Sequence, residues 1–437
     1  MRLAGIKTSA PEIYLILSFV MQLANSIMFT TYAIYYIKVL GLNPLQLVLV
    51  GTVLEVAVLL FEVPTGVVAD TFGRRLSVIL GVFILGGAFV MEGSIPLVAR
   101  TLLRGGISLF GALLLAETIR GIGETFISGA GDAWIAEEVR EDAVGGVFLR
   151  ANQASLFASI AGIAASVGLA SISLNLPYIA GGGLYLFLGL FLLVSMPETN
   201  FRPSHEERAG WRAIFGTLQD GLEAVRVKPV LLLALVAGLF SGAASEGFDR
   251  LWEAHFLQNI RLPRFGNFNP VVWFGVINIG ANLLGLLAAG IARRRLDASG
   301  YRNVTRLLMI TSTLSILGMI SLGLAGNFAW AIASFWAIGA VNAVKGPFYR
   351  TWLNQNIEGR TRATILSMMS QADALGQTAL GPAVGAVGAR YSLRTAMVMA
   401  AFLLSPTLEV FRRAFKESRT SSKPDVQPAR TGETKGY

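Results

Sequence analysis

Apolar segments of about 20 residues follow one another along the whole chain, separated by short polar connections. A segment of this length crosses the hydrocarbon core of a bilayer as an α-helix, because a helix satisfies its own backbone hydrogen bonds there. The composition agrees, since 54% of the residues are hydrophobic and 14% are charged, against roughly 25% charged in soluble domains. The sequence therefore predicts an all-α integral membrane protein, and its 437 residues leave no room for a large soluble domain.

About twelve such helices fit the chain, which places both chain ends on one side of the membrane. From the first helix to the twelfth, we expect them at residues 13–37, 46–69, 77–98, 107–130, 150–174, 177–196, 229–251, 271–292, 304–324, 328–352, 363–389 and 393–411. The fifth is rich in Gly, Ala and Ser, a composition that permits close helix packing in lipid.

The polar and basic stretch 201–228 divides the chain into two halves and contains an amphipathic segment that we expect to form a surface helix. Residues 1–200 then form one six-helix bundle, residues 229–415 form the second, and residues 416–437 are predicted to be a disordered tail. An internal repeat of two parallel halves supports this division. The superposed pairs are Gly66 and Gly285, Arg74 and Arg293, Arg75 and Arg294, and Asp70 and Ala289.

A polar decapeptide, GVVADTFGRR at residues 66–75, lies between the second and third helices. An aspartate and two arginines would cost several kcal/mol in hydrocarbon, so we expect this signature segment to form a tight turn at a membrane surface. Its spacing resembles the loop between helices 2 and 3 of the major facilitator superfamily, and an ordinary basic turn is the alternative. The matching residues are Gly66, Asp70, Gly73, Arg74 and Arg75, and Thr71 departs from the often basic residue of that loop.

The resemblance implies the major facilitator fold, with twelve transmembrane helices in two pseudo-symmetric six-helix halves that alternate around a substrate site near the bilayer midplane. It also implies a cytoplasmic gate, in which the signature segment forms a charge network with the end of the fourth helix and the start of the eleventh. The gate residues would be Gly66, Asp70, Gly73, Arg74, Arg75 and Asp132, with Glu137 or Glu138 as further partners of the arginines and Glu62 close by.

Lysines and arginines are concentrated in the segments on the same side as the signature segment and both chain ends. The positive-inside rule places that side in the cytoplasm, and we expect a multi-pass protein of the plasma (inner) membrane. The net charge of +9 is explained by this bias, so no nucleic acid partner is expected. With no cysteine and two histidines, the chain is expected to hold neither a metal nor a cofactor.

Charged side chains within the spans are candidate proton carriers, because a charge in the membrane is costly unless it is paired or hydrated. The fourth helix carries Glu117, Arg120 and Glu124, whose spacing places them on one face. Two carboxylates with one guanidinium leave one carboxylate to bind and release a proton, and an ion pair that only locks the bundle is the alternative. Arg120 with Gly121 and Gly123 also resembles the fourth helix of proton-coupled members of the superfamily. The further candidates are Glu55, Glu246 and Asp373.

Polar side chains within the spans are candidate substrate contacts, with interhelical hydrogen bonds as the alternative interpretation. They are Gln22, Asn25, Glu55, Asn278, Asn282 and Asn342. Lys345 and Asp373 are isolated opposite charges of the second half, which either pair with each other or take part in transport. We expect residues 249–255 near the outer mouth of the seventh helix, with Trp252 as an anchor at the membrane interface.

Together these features predict a secondary transporter that exports a small amphipathic or drug-like molecule in exchange for protons, in the manner of the drug/proton antiporters of the superfamily. The expected partners are the small-molecule substrate, protons and the lipid bilayer, and we expect a monomer. The fifth helix lacks the Gly-Pro step that is usual in drug antiporters.

Two other functions compete with this prediction. Proton-coupled uptake of a small polar nutrient or metabolite would need a denser set of polar residues in the cavity. A membrane-embedded enzyme or receptor is disfavoured because the sequence has no GxxxxGK[ST] nucleotide loop and no Cys or His cluster. We therefore expect a protein that is not an enzyme.

Overall fold

The computed structural model describes residues 9–101, 108–201, 229–263, 269–296, 300–357 and 362–420. Within these ranges the regular structure is entirely helical. The helices are Ala10–Phe29, Tyr32–Lys38, Pro44–Phe72, Arg74–Thr101, Leu109–Ile127, Ala130–Glu138, Glu141–Ile172, Leu176–Ser195, Pro229–Asn259, Val271–Arg295, Tyr301–Leu324, Phe328–Asn356, Arg362–Arg390, Leu393–Leu403 and Ser405–Thr420. The predicted linker at 202–228 and the tail beyond residue 420 lie outside the described residues.

These segments make up the twelve predicted helices, because the first and the twelfth are each interrupted once and a short helix, Ala130–Glu138, follows the fourth. Ten helices in the described part of the chain are long and apolar enough to cross a membrane. The fourth, Leu109–Ile127, fails that criterion because three charged residues fall within its length. The eleventh, Arg362–Arg390, carries Asp373 and several amides and hydroxyls, so its mean hydropathy is low.

Several boundaries differ from the prediction, such as the start of the fifth helix at Glu141 rather than at residue 150, and two of them bear on the site. The second helix continues to Phe72 and the third begins at Arg74, so the turn of the signature segment is confined to Gly73, whose φ of 116° is open to glycine but not to other residues. The seventh helix continues to Asn259, two turns beyond its predicted end. Residues 251–255 are therefore buried inside the bundle rather than at its mouth, Glu253 and His255 among them, whereas Asp249 is exposed.

The two halves have the same internal packing. In the first half, the first helix packs on the fifth, the second on the fourth, and the third on the fourth and sixth. In the second half, the seventh packs on the eleventh, the eighth on the tenth, and the ninth on the tenth and twelfth. Because each contact of one half recurs six helices later in the other, the chain is a parallel repeat of two six-helix bundles.

The halves touch each other at the ends of the helices that are remote from the signature segment. There the Tyr32 hydroxyl donates to the backbone oxygen of Asp249 across 2.6 Å. Beside it the eleventh helix meets the second, where a Cβ added to Gly385 would lie 3.0 Å from Val48. We call this end of the bundle the remote side and the other end the signature side; the contacts close the remote side.

Backbone contact between the seventh and eleventh helices holds the second half together. A Cβ added to Gly376 would overlap the carbonyl oxygen of Leu239, and one added to Gly242 would overlap that of Asp373. Only glycine permits so close an approach, and dispersion contacts of this kind hold helices together in lipid, where hydrophobic burial gives little driving force.

We predict that Gly376→Ala destabilises the protein, because the methyl group forces the seventh and eleventh helices apart. Overpacking of this kind costs about 1–3 kcal/mol. The measurement is the melting temperature of the purified protein in detergent, with Gly290→Ala as the matched control, since a Cβ at Gly290 meets no atom within 4 Å. Equal melting temperatures for the two variants would show that the backbone contact does not support the fold.

Candidate functional site

A buried charged cluster occupies the middle of the first half. Glu117 of the fourth helix is 0% exposed, and its two oxygens accept from the Arg120 guanidinium at 3.0 and 3.2 Å. The guanidinium also lies over the ring of Phe29, 4.8 Å from its centroid. A cation on an aromatic face is stabilised by the ring quadrupole. Arg120 is therefore held in position by the Glu117 carboxylate and by aromatic rings, because Phe89 lies 5.5 Å from the guanidinium as well.

A second buried carboxylate reaches the same cluster from the third helix. Glu92 is 1% exposed, and the hydroxyl of Tyr36 contacts both its carboxylate and, at 3.1 Å, that of Glu117. The hydroxyl of Tyr178 donates to that of Tyr36 at 3.2 Å. A phenol carries one proton, so the Tyr36 hydroxyl donates to only one of the two carboxylates at a time. The cluster thus joins two acids, one guanidinium and two phenols in a site without exposed charge.

The third charged residue of the fourth helix lies at the edge of this cluster. Glu124 shares the face of Glu117 and Arg120, as its spacing predicts, and its carboxylate is 3.6 Å from the Arg120 Nε. Its side chain is 45% exposed, on the signature side of the cluster. The structure therefore brings the three predicted residues together and gives them different access to water.

A second charged cluster faces the first from the seventh helix. Glu246 is buried and accepts from the Arg250 Nε at 2.9 Å. The ion pair packs on the second helix of the other half, where a Cβ on Gly51 would overlap the Glu246 carboxylate. Arg250 is within range of an electrostatic interaction with Glu117. The two clusters are therefore parts of one charged layer that crosses the contact between the halves.

Glu55 of the second helix lies between the clusters. It is half-buried and within electrostatic range of Arg120 in its own half and of Glu246, Arg250 and Asp373 in the other. Sequence analysis assigned Glu55 to both proton coupling and substrate binding, and the structure places it where either role is open.

The remaining predicted substrate residues have different surroundings. The Gln22 amide donates to Ser26 at 3.1 Å, and the Asn25 amide oxygen accepts from the Tyr185 hydroxyl at 2.8 Å. The Asn25 bond joins the first and sixth helices, as the alternative interpretation has it, whereas Asn278 donates to the backbone of its own helix at 2.8 Å. Asn282 and Asn342 are exposed.

Two cavities lie in the second half, beside the charged layer. One, of about 290 Å³, is lined by Asp249, Asn342 and Lys345 among others. The other, of about 500 Å³, contains Lys345 and Asp373 and lies toward the signature side. Of the two alternatives for Lys345 and Asp373, the ion pair is not formed within the described residues. Asp373 accepts from Gln377 one turn along its helix, at 2.9 Å.

Trp252 also differs from its prediction. It lies inside the second half and contacts Phe335, with 4.3 Å between ring centroids. The reason is the extension of the seventh helix to Asn259, which draws Trp252 below the membrane interface.

The signature segment forms a network of its own. Asp70 pairs with Arg74 at 2.5 Å, and Arg74 lies 3.6 Å from Glu137. Arg75 donates to the backbone oxygens of Leu193 and Met196, both at 2.7 Å, at the end of the sixth helix. The segment thus joins the second and third helices to the sixth and to the short helix after the fourth.

Two of the predicted gate residues make no contact of the predicted kind here. Asp132 accepts from the Tyr14 hydroxyl at 2.6 Å instead of pairing with an arginine, because it lies on the face of its short helix that meets the first helix. A Cβ on Gly66 would meet nothing within 4 Å, so no helix of the described part of the chain lies against that glycine. Glu138 accepts from Thr199 at 2.6 Å.

Several site residues escaped the sequence analysis. Glu92 is a lone acid in an apolar helix, and the rule that selected Glu117 also applies to it. Tyr36 and Tyr178 gave no signal, since a tyrosine in a span is most often an interface residue. Glu198 follows the sixth helix and accepts from the backbone nitrogen of Arg75 at 2.9 Å, a contact that no spacing in the sequence indicates.

The comparisons with known proteins agree with this architecture. The model of the Major Facilitator Superfamily, MFS_1, matches residues 14–376. An uncharacterised MFS-type transporter of Bacillus subtilis (strain 168), YxaM, is 25% identical over 381 residues, which are 83% of this chain and 86% of that protein.

Solved transporters have the same fold at low sequence identity. The nucleoside transporter NupG is 16% identical with a TM-score of 0.72, over 94% of this chain and 100% of its own. A POT family transporter in complex with 5-aminolevulinic acid is 12% identical with a TM-score of 0.69, over 94% and 96%. A bacterial homologue of the lysosomal transporter Spinster, inward-facing and unoccupied, is 14% identical with a TM-score of 0.68, over 96% and 98%.

We predict that Tyr36→Phe lowers the melting temperature in detergent, because Glu92 and Glu117 stay buried and lose a shared donor. The loss of such a hydrogen bond costs roughly 1–3 kcal/mol. We expect a smaller loss at pH 5 than at pH 8, since a proton from solution lets one carboxyl group donate to the other in place of the hydroxyl.

The matched control is Tyr349→Phe, whose hydroxyl has no hydrogen bond to the described residues. A Tyr36→Phe variant that loses no more stability than this control, or loses the same amount at both pH values, would contradict a bridging role of the hydroxyl.

Proposed function

Because the chain belongs to the Major Facilitator Superfamily, we propose that it is a secondary transporter that couples the movement of a small polar solute to that of protons. The observation that carries this proposal is the buried cluster of Glu92, Glu117 and Arg120 beside the contact between the halves. The two acids outnumber the guanidinium, so the fully ionised cluster carries a net negative charge out of water.

The cluster suits proton binding for an energetic reason. A buried carboxylate without its own cation is costly, and a proton from solution removes that cost. Arg250 lies within electrostatic range of Glu117 from the other half, so any movement of the halves changes the field at the acids. In our proposal this change binds the proton in one access state and releases it in the other.

The access state of the structure supports the same proposal. The remote side is closed by contacts such as Tyr32 with Asp249, and the larger cavity lies toward the signature side. With the positive-inside orientation, the signature side and both termini are cytoplasmic and this is an inward-facing state.

The lining of the cavities favours a polar solute. Serines, Asn342, Lys345, Tyr349 and two aspartates line them beside the apolar side chains. This is the denser set of polar residues that uptake of a polar nutrient requires, and structurally similar proteins include a nucleoside and a peptide transporter. Export of an amphipathic molecule in exchange for protons stays a prediction, and the direction of coupled flux separates the two.

The test uses the protein in reconstituted vesicles with an imposed pH gradient. Nucleosides, dipeptides and 5-aminolevulinic acid are first screened for thermal stabilisation of the purified protein, which reports binding of any one of them. Accumulation of the stabilising solute in vesicles with the more acidic solution outside shows that solute and protons move in the same direction, which supports uptake. Accumulation in vesicles with the more acidic solution inside shows that they move in opposite directions, which supports export. Equal accumulation with and without the pH gradient would refute proton coupling.

We predict that Glu117→Gln and Glu92→Gln each abolish gradient-driven accumulation and leave exchange of labelled for unlabelled solute intact. The amide keeps the shape of the side chain but binds no proton, and exchange does not need proton release. The matched control is Glu141→Gln, at the exposed start of the fifth helix, which should behave as the parent. If both cluster variants still concentrate the solute, the proton site lies elsewhere, with Glu55, Glu124, Glu246 and Asp373 next to test.

The signature segment is proposed to close the cytoplasmic side in the outward-facing state. Gly66 has open space beside it here, which leaves room for a helix of the other half to approach. Asp70 and Glu137 hold Arg74 between the second helix and the short helix after the fourth. They therefore fix the surface that the approaching helix of the other half would contact.

We predict that Asp70→Asn lowers the transport rate several-fold, because Arg74 loses its closest carboxylate and closure is weakened. The measurement is solute accumulation in vesicles at matched protein content. Asp142→Asn is the control, since Asp142 forms an exposed pair with Arg140 only. Transport by Asp70→Asn equal to that of the control would exclude a role in closure.

A further inference from the structure

The two cavities of the second half meet at one cation. Ser241, Lys345 and Tyr349 line both the cavity of about 290 Å³ and that of about 500 Å³. Lys345 belongs to the inner half of the tenth helix, one turn from Asn342 and one from Tyr349, so the three side chains share a face. Lys345 therefore lies where the larger cavity, on the signature side, joins the smaller cavity beside the charged layer.

Lys345 has no protein partner in the described part of the chain. Its ammonium group makes no hydrogen bond and no ion pair with the described residues, although the side chain is half-buried. A partly desolvated charge without a counter-ion costs free energy, and the other buried cations of the spans, Arg120 and Arg250, are each paired with a glutamate. Lys345 is the exception, because the described residues provide no counter-ion for it and the cavities leave it open to one from solution.

The surroundings of Lys345 supply hydrogen-bond donors. Tyr349 lines both cavities with a hydroxyl that makes no hydrogen bond to the described residues, and the hydroxyl of Ser315 donates to the amide oxygen of Asn342 at 3.0 Å. That bond occupies the Asn342 oxygen and turns its NH₂ group to other acceptors. Hydroxyl, amide and ammonium donors on one wall are the set that binds a carboxylate, a phosphate or a sulfate.

The cavities contain carboxylates as well as cations, and the smaller has one of each, Asp249 and Lys345, so the positive charge is local to the Lys345 ammonium group. Asp249 lines the smaller cavity and Asp373 the larger, yet neither forms an ion pair with Lys345. Asp373 accepts from Gln377, and Arg350 adds a second cation to the larger cavity. The larger cavity thus contains two cations and one carboxylate.

We infer that the transported solute carries an anionic group, which binds at Lys345 between the seventh, ninth and tenth helices. This inference rests on the proposed function, because it takes the cavities to be the solute site. The anion supplies the counter-ion that the described residues do not, so Lys345 becomes paired when the solute is bound and occluded.

The test uses charged thiol reagents as probes, and the chain favours it because it contains no cysteine. Ser245→Cys places a single thiol in the cavity with Lys345. The rate at which this thiol is modified is measured in detergent with two reagents. The anionic reagent is sulfonatoethyl methanethiosulfonate, and the cationic one is trimethylammonioethyl methanethiosulfonate. The ratio of the two rates reports the electrostatic potential that an anionic solute meets.

We expect Lys345→Met in the Ser245→Cys background to lower the ratio of anionic to cationic rates by about tenfold or more, since the two reagents respond to a nearby charge in opposite directions. Lys345→Arg keeps the charge and should restore most of the ratio. Ser171→Cys, at the exposed end of the fifth helix, is the control position and should show no change with Lys345→Met.

A ratio at Ser245→Cys that Lys345→Met leaves unchanged, or one that falls equally at Ser171→Cys, would overturn the inference. The Lys345→Met protein could also have a lower melting temperature. The conclusion is unaffected if Lys345→Arg restores the rate ratio when both variants are labelled at one temperature. The labelling requires no transport, so its failure is distinguishable from failure of the vesicle experiment, which tests the proposed function.

Discussion

The cost of keeping charge out of water governs the arrangement of this protein. In lipid, an ionised side chain must find a partner or a hydrated cavity, and Glu117 finds Arg120 at 3.0 Å. Glu92 has no cation of its own and shares the hydroxyl of Tyr36 with Glu117. The cluster is therefore stable only within a dry interior that donates hydrogen bonds and supplies one positive charge. A bundle that opened its third and fourth helices to lipid would lose both conditions.

Helix packing provides that interior with small residues. Gly121 lies against the second helix, where an added Cβ would come 2.9 Å from the carbonyl oxygen of Leu54. This contact brings the fourth helix close enough for Glu117 and Arg120 to face the middle of the half. Gly51 then lets the Glu246 and Arg250 pair of the other half approach the same layer. The glycines set the distances across which the charges interact, so packing and electrostatics are one constraint here.

Periodicity and charge in the sequence were enough to predict the helices and the two halves, and the resemblance of the signature segment implied the fold. Segments of about 20 apolar residues predicted twelve helices, and the aligned pairs of arginines predicted two halves, because both follow from bilayer thickness and from chain repetition. The sequence spacing of Glu117 and Arg120 likewise predicted that the two side chains share one face of the fourth helix. The end of the seventh helix was not predicted, because its last two turns contain Glu253 and His255, and polar residues there look like a membrane surface until the packed helices bury them.

Contacts between distant parts of the chain were the part that sequence reasoning could not supply. Tyr36 meets Glu92 and Glu117 only after three helices have packed, and one hydroxyl among ten tyrosines carries no local signal. Asp132 illustrates the reverse case. Its place in the sequence suggested an arginine partner, but a short helix turned it toward Tyr14 instead. A side chain's partner depends on helix rotation, which a pattern of hydrophobic residues fixes only to within about a residue.

The two halves share a packing scheme but differ in chemistry, and the difference assigns them separate tasks in our proposal. The first half has a compact acid cluster with an aromatic wall and an intact signature segment. The second has lost the aspartate of that segment, with Ala289 in its place, and encloses the cavities around Lys345. Duplicated bundles would begin with equivalent charges, so one copy can keep the proton site while the other changes to suit a solute. The charged layer between Glu117 and Arg250 then links the two tasks, because the binding of a proton on one side alters the potential that a charged solute meets on the other.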